Sequence, residues 1–119
     1  MIRSPYIEAY LTCAFWSELD ANDEPLEDNY TLEDLDPKSL KKMIDDCNQF
    51  EDKILGSLGD HEFDWVQVGH DFWLTRNGHG AGFWDGDHEK ELGKELTKLA
   101  HSFREQVLYL GDDGKIHLG

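Results

Sequence analysis

Apolar residues recur along this chain with two different periods, and the periods predict its elements. Ser4-Pro5 reads as an N-cap followed by proline at the first helical position. Ile7, Tyr10, Leu11, Ala14 and Phe15 then fall at i, i+3, i+4, i+7 and i+8 of one helix face, so a helix is expected to run to about Glu18. Asp36-Pro37 repeats the cap-then-proline signal. Leu40, Met43, Ile44, Cys47, Phe50, Ile54 and Leu58 keep helical spacing behind it, which predicts a long helix to about Gly56. An acidic loop, residues 19–35, joins the two, with one short turn where Thr31 and Asp34 resemble a capping box. Residues 59–69 read as a connection.

The pattern changes in HDFWLTRNGHGAGFWDG, residues 70–86. DFWLTR (71–76) and AGFWD (81–85) are rich in strand formers and flank Asn77-Gly78, a preferred pair for a tight β-turn, so a β-hairpin is predicted. On those strands Phe72 and Leu74 would face one side and Trp73 and Thr75 the other, with Phe83 and Trp84 also divided. Asp87 is placed to cap a third helix carrying Leu92, Leu96, Leu99 and Phe103 at i, i+4, i+7 and i+11. VLYLGDDGKIHLG then alternates on both sides of Asp112-Asp113-Gly114, a second hairpin signal. The expected fold is α+β in the order α-α-ββ-α-ββ. Three helices pack on a small antiparallel sheet built from two β-hairpins, in a single domain over residues 1–119.

Composition supports a globular chain. Of 119 residues, 39% are hydrophobic and 12% aromatic, enough for one modest core, and three prolines without a low-complexity tract argue against wholesale disorder. The N-terminal stretch lacks a signal-peptide core, and no run approaches the roughly 18 apolar residues of a membrane span, so a cytosolic protein without a membrane partner is expected. Cys13 and Cys47 each fall on a predicted apolar stripe and read as reduced core residues.

Charge is the strongest global signal. The net charge is −15, and residues 4–37 hold ten acids and no Lys or Arg. From Glu18 to Asp64 there are sixteen acids against four lysines, so that stretch carries −12 of the total. Such a field repels nucleic-acid phosphates and attracts basic surfaces, so direct duplex DNA binding is not expected. Its plainest explanation is solvation; its functional one is a contact surface for a basic, nucleic-acid-binding protein. The candidate contact residues are Glu18, Asp20, Asp23, Glu24, Glu27, Asp28, Glu33, Asp34, Asp45, Asp46, Glu51 and Asp52. Carboxylates held on a rigid scaffold at phosphate-like spacing can occupy another protein's DNA-binding groove.

Other chemistry is less well supported. His61, His70, His79 and His88 recur every nine residues, which fits neither the spacing of a zinc helix nor a short knuckle. In the predicted hairpin His70 and His79 would lie on the order of 20 Å apart. No metal site, cofactor or catalytic residue is therefore assigned. There is no nucleophile elbow, Cys-His signature or phosphate loop. A small hydrolase or metal-binding protein using the His and Asp residues near the hairpin is kept as one alternative. Trp73, Arg76 and Trp84 form the other: exposed, they would make an aromatic patch for protein contact or for stacking single-stranded nucleic acid, as in a nucleic-acid-binding or virion-associated protein. Buried, they are simply a Trp-rich core.

HDFWLTRNGHGAGFWDG, together with LYLGDDGKIHL, resembles a family of small acidic proteins from bacteriophages and prophages. The match covers residues 70–86 and 107–118, and more loosely 11–50 through AFWSELD, ANDEPLEDNYTLEDL and the Met43–Phe50 helix. The resemblance implies a phage setting and a host-cytoplasmic location, and it carries over no catalytic residue. Small phage proteins often bind and inhibit host machinery, including restriction and CRISPR nucleases, and some of them are acidic DNA mimics. The expectation is therefore a non-enzymatic accessory protein that binds a basic host protein, with a homo-oligomer left open.

Overall fold

A computed structural model of the protein describes residues 4–20, 22–58, 63–78 and 90–119. Helix α1 spans Pro5–Ser17. Its cap is the expected one: the Ser4 hydroxyl accepts the Ile7 amide at 3.2 Å, and Pro5 opens the first turn. Helix α2 spans Pro37–Leu58 and begins at the second cap-and-proline signal, where the Asp36 carboxylate accepts the Ser39 amide at 3.1 Å. Helix α4 spans Lys90–His101 and carries Leu92, Leu96 and Leu99, with Leu96 fully buried. The proposed Asp87 cap lies outside the described residues. The C-terminal hairpin forms as expected from β1 (Leu108–Leu110) and β2 (Ile116–Leu118), antiparallel, with Tyr109 opposite His117. Its turn is tightened by Gly114, whose φ of +79° suits glycine.

The hairpin predicted at 70–86 is not what its first arm forms. Residues 71–76 belong to a helix, α3, spanning Trp65–Arg76. The described residues thus hold four helices and a single two-stranded sheet, where three helices and two hairpins were expected. The second predicted strand, 81–85, lies outside the described residues. Two features turn the segment helical. Asp64 is an N-cap, its carboxylate accepting the Gln67 amide at 3.3 Å. In addition, Trp65, Val68, Gly69, Phe72, Trp73 and Arg76 fall at i, i+3, i+4, i+7, i+8 and i+11, a helical stripe visible only when counting starts at Trp65. Every residue from Asp71 to Arg76 is buried, so the helix lacks the polar face that would advertise its period. Asn77-Gly78 ends this helix instead of turning a hairpin. Gly78 adopts φ +69° and its amide bonds the Thr75 carbonyl at 3.2 Å, while Asn77 stays at φ −100°.

Packing of α3 on α1 builds the centre of the molecule. Gly69 sits so close to α1 that a Cβ there would run into the Tyr6 carbonyl. The approach puts Tyr10 against Phe72 at 5.1 Å and against Trp73 at 5.5 Å between ring centroids. From α2, Phe50 stacks on Phe72 at 4.0 Å, and Phe103 closes on Phe72 edge-on at 5.0 Å. Aromatic pairs in these geometries each add about 1 kcal/mol beyond burial. The hairpin docks beside the start of α2. Leu35 bridges Ile116 in parallel, Asp36 donates its amide to the Ile116 carbonyl at 2.8 Å, and Leu118 donates to the Ser39 hydroxyl at 2.9 Å.

Candidate functional site

The acidic segment between α1 and α2 is an ordered arm. Its first half folds back on itself: Leu19 bridges Pro25, the Asp20 amide donates to the Glu24 carbonyl at 2.8 Å, and Leu26 donates to the Glu18 carbonyl at 2.9 Å. The corner residue Asp23 takes φ +60°, a conformation that aspartate tolerates better than most side chains. The Asp20 carboxylate organises the corner by accepting the amides of Asn22 (2.8 Å) and Glu24 (3.1 Å) and the Asn29 side chain (3.3 Å). These bonds, that of Glu24 above all, hold its carboxyl below the usual aspartate value. Two short 3-10 turns follow, at Leu26–Asp28 and Leu32–Asp34. Thr31 and Asp34 form the expected capping box, with Thr31 donating its amide to Asp34 at 2.9 Å. Leu26, fully buried, pins the middle of the arm to the core, and Leu35 pins its end.

The candidate acids divide by position. Asp23, Glu24, Glu27, Asp28 and Glu33 are exposed, and Asp20 and Asp34 are partly covered by the bonds just described. Glu18 is half-buried at the end of α1, and burial raises its pKa. On α2, Asp52 is exposed, Glu51 is partly so, and Asp45 pairs with Lys41 at 3.0 Å on the surface. Asp46 does not belong with them. It is buried, and its two oxygens face Lys42 at 2.7 Å and Arg76 at 2.9 Å. Its position between Met43 and Phe50, three residues after one and four before the other, already put it on the apolar face of α2.

Arg76 and Trp73 are likewise interior, so of the two readings left open for them the exposed patch fails and the buried one holds. Trp73 is 0% exposed and donates its indole N–H to Ser17 at 2.9 Å. Arg76 is 3% exposed and its guanidinium donates to Tyr10 (2.9 Å), Asp46 (2.9 Å) and the Arg104 carbonyl (2.7 and 3.0 Å). It also lies over the rings of Phe72 and Phe103. α3, α2, α1 and the segment after α4 are thus tied at one point, and a buried cation committed to these partners is not placed to meet a ligand at the surface. Trp84 lies outside the described residues.

Cys13 and Cys47 are free and buried, as expected; burial pushes the Cys13 thiol up to about 12 and raises Cys47 as well, so neither is a nucleophile at neutral pH. Among the described residues, no three His, Cys, Asp or Glu side chains are grouped to hold a metal ion. No described helix is long and apolar enough to cross a membrane. Comparison with known protein families, with curated proteins and with solved structures gives no match to this chain.

Proposed function

We propose that the protein is a small acidic accessory protein of the phage type that works in the host cytoplasm by binding a basic, nucleic-acid-binding host protein through the arm at residues 18–36. The sharper form of the proposal is DNA mimicry, in which the arm's carboxylates take the place of phosphates in the partner's groove. One observation supports it above the rest: five exposed carboxylates stand on a segment fixed by its own hydrogen bonds and by the buried Leu26, so they need little ordering on contact. A disordered acidic tail would pay that entropy at binding. Burial of Trp73 and Arg76 removes the support for stacking single-stranded nucleic acid on them.

The test is capture of host proteins on immobilised protein at low and high salt, followed by DNA-binding assays on what is retained. A basic protein should be captured, its retention should fall steeply with salt, and its DNA binding should decline in proportion to the complex formed. Replacing Asp23, Glu24, Asp28 and Glu33 by their amides should abolish capture. Capture indifferent to both ionic strength and these amides would overturn the proposal.

A further inference from the structure

A cleft of about 600 Å³ opens on the far side of α1 from Tyr10, between α1, α3 and the arm. Ala9 and Thr12 leave room along one helix, Trp16 at 52% exposure lines the cleft with its ring 6.0 Å from that of His70, and Val66 at 50% exposure lines it from α3. Glu27 of the arm and His70 complete the rim. Large half-exposed apolar side chains around a hollow are what a buried anchor residue requires of its receptor.

The geometry points to this cleft as the seat of a single arginine side chain presented by the basic partner, an inference that rests on the partner proposed above. Arginine fits each wall. Its planar guanidinium can stack on the Trp16 ring, its methylene stem can cover Val66 and Ala9, and its fork matches the Glu27 carboxylate. Glu8 also lines the cleft and is engaged within the protein, so Glu27 is the carboxylate on which the inference rests. No Lys or Arg is among the residues lining the cleft, so none of them competes for its carboxylates. His70, on the rim, has its Nδ1 buried without a hydrogen bond and 3.6 Å from Asp71 Oδ1. Cys13 also lines the cleft, and burial raises its thiol pKa. A second copy of the chain is a poor occupant, because each copy brings a charge of −15.

The experiment titrates isotope-labelled full-length protein with acetyl-Ala-Arg-Ala-amide, and in parallel with the same peptide carrying citrulline, which has arginine's shape without its charge. The arginine peptide should give saturating shifts at the Trp16 indole N–H and the Val66 methyls, with affinity at least about tenfold above the citrulline peptide. Trp16→Ala, at a half-exposed position that the core does not need, should abolish the Val66 shifts, and Glu27→Gln should weaken binding about fivefold. Equal binding of the citrulline peptide would make the cleft a general apolar pocket and overturn the inference, as would the absence of saturating shifts at these residues. The two proposals fail separately. Absent or salt-indifferent capture with the peptide shifts intact counts against the arm, whereas normal capture without the shifts counts against the cleft.

Discussion

Asp20 and Asp46 are carboxylates of the same acid-rich chain, and the two regions they organise are built on opposite terms. Asp46 lies inside, where its charge is tolerable only because Arg76 and Lys42 meet it and Arg76 is in turn held by Tyr10 and the Arg104 carbonyl. Asp20 lies on the surface and is held by amides two and four residues away. The first arrangement joins three helices and the segment after α4, and it fails if one member is removed. The second is local; the tertiary fold reaches it chiefly through Leu26. A chain with an excess of acids can thus spend one of them as a core tie while the rest stay in water as a surface.

The largest effect should come from breaking the interior tie. Arg76→Ala leaves the Asp46 carboxylate buried with Lys42 alone and strands the Arg104 carbonyl and the Tyr10 hydroxyl. The loss should be about 3–5 kcal/mol in urea denaturation, a large share of a small domain's stability. Pairing Arg76→Met with Asp46→Leu should recover the part of that loss due to the unpaired buried carboxylate, leaving the part due to the Arg104 carbonyl and the Tyr10 hydroxyl; no recovery would mean that the ion pair is not what the substitution breaks. Leu26→Ala should cost about 2–4 kcal/mol if the arm is part of the cooperative fold. A loss under about 1 kcal/mol, with faster amide exchange confined to residues 20–30, would instead make the arm a separate unit.

A smaller effect is read through pH, and it has opposite signs at two carboxylates near the start of the arm, Asp20 and Glu18. Asp20 titrates below its ordinary value in the folded state, so its contribution is complete above that value and is lost as pH falls through the folded pKa. Glu18 titrates above its ordinary value, so its folded form favours the proton; its contribution is complete in acid and is lost as pH rises through the folded pKa. Glu18→Gln should therefore raise the denaturation midpoint at pH 7, and the gain should disappear below pH 4; a gain unchanged between those values would exclude burial of the charge as its cause. The smallest effect belongs to Lys41→Ala, which removes the exposed pair with Asp45 and should change stability by less than about 0.5 kcal/mol. Lys42→Ala, one residue along but touching Asp46, should cost measurably more.

The capping-box turn in the arm and the two cap-and-proline helix starts were legible in advance because their structure is local. Thr31 and Asp34, Ser4-Pro5 and Asp36-Pro37 act over one helical turn, so the residue types at those spacings suffice to form the caps. The C-terminal hairpin was legible for the same reason. The segment at 71–76 was not, because strand propensity is a weak preference that burial overrides, and a stretch buried at all six positions shows no polar face from which to read its period. Its one local clue, Asp64 ahead of the stripe that begins at Trp65, lies upstream of the stretch whose composition draws attention. Asp46 and Arg76 needed more still: position on α2 places Asp46 inward, but only the meeting of α2 with α3 supplies its partner.

By itself, then, the sequence determined the starts of α1 and α2, the reduced cysteines, the closing hairpin and the density of carboxylates from Glu18 onward. Each depends on neighbours within a few residues or on composition alone. Tertiary structure decided which carboxylate leaves the surface, that the Trp-Arg motif is an interior tie and not a contact patch, and that Trp16, Val66 and Glu27 border one cleft. Those outcomes depend on residues 30 to 66 positions apart being brought within hydrogen-bond reach, as Arg76 is to Asp46 and Tyr10, and no local preference encodes that.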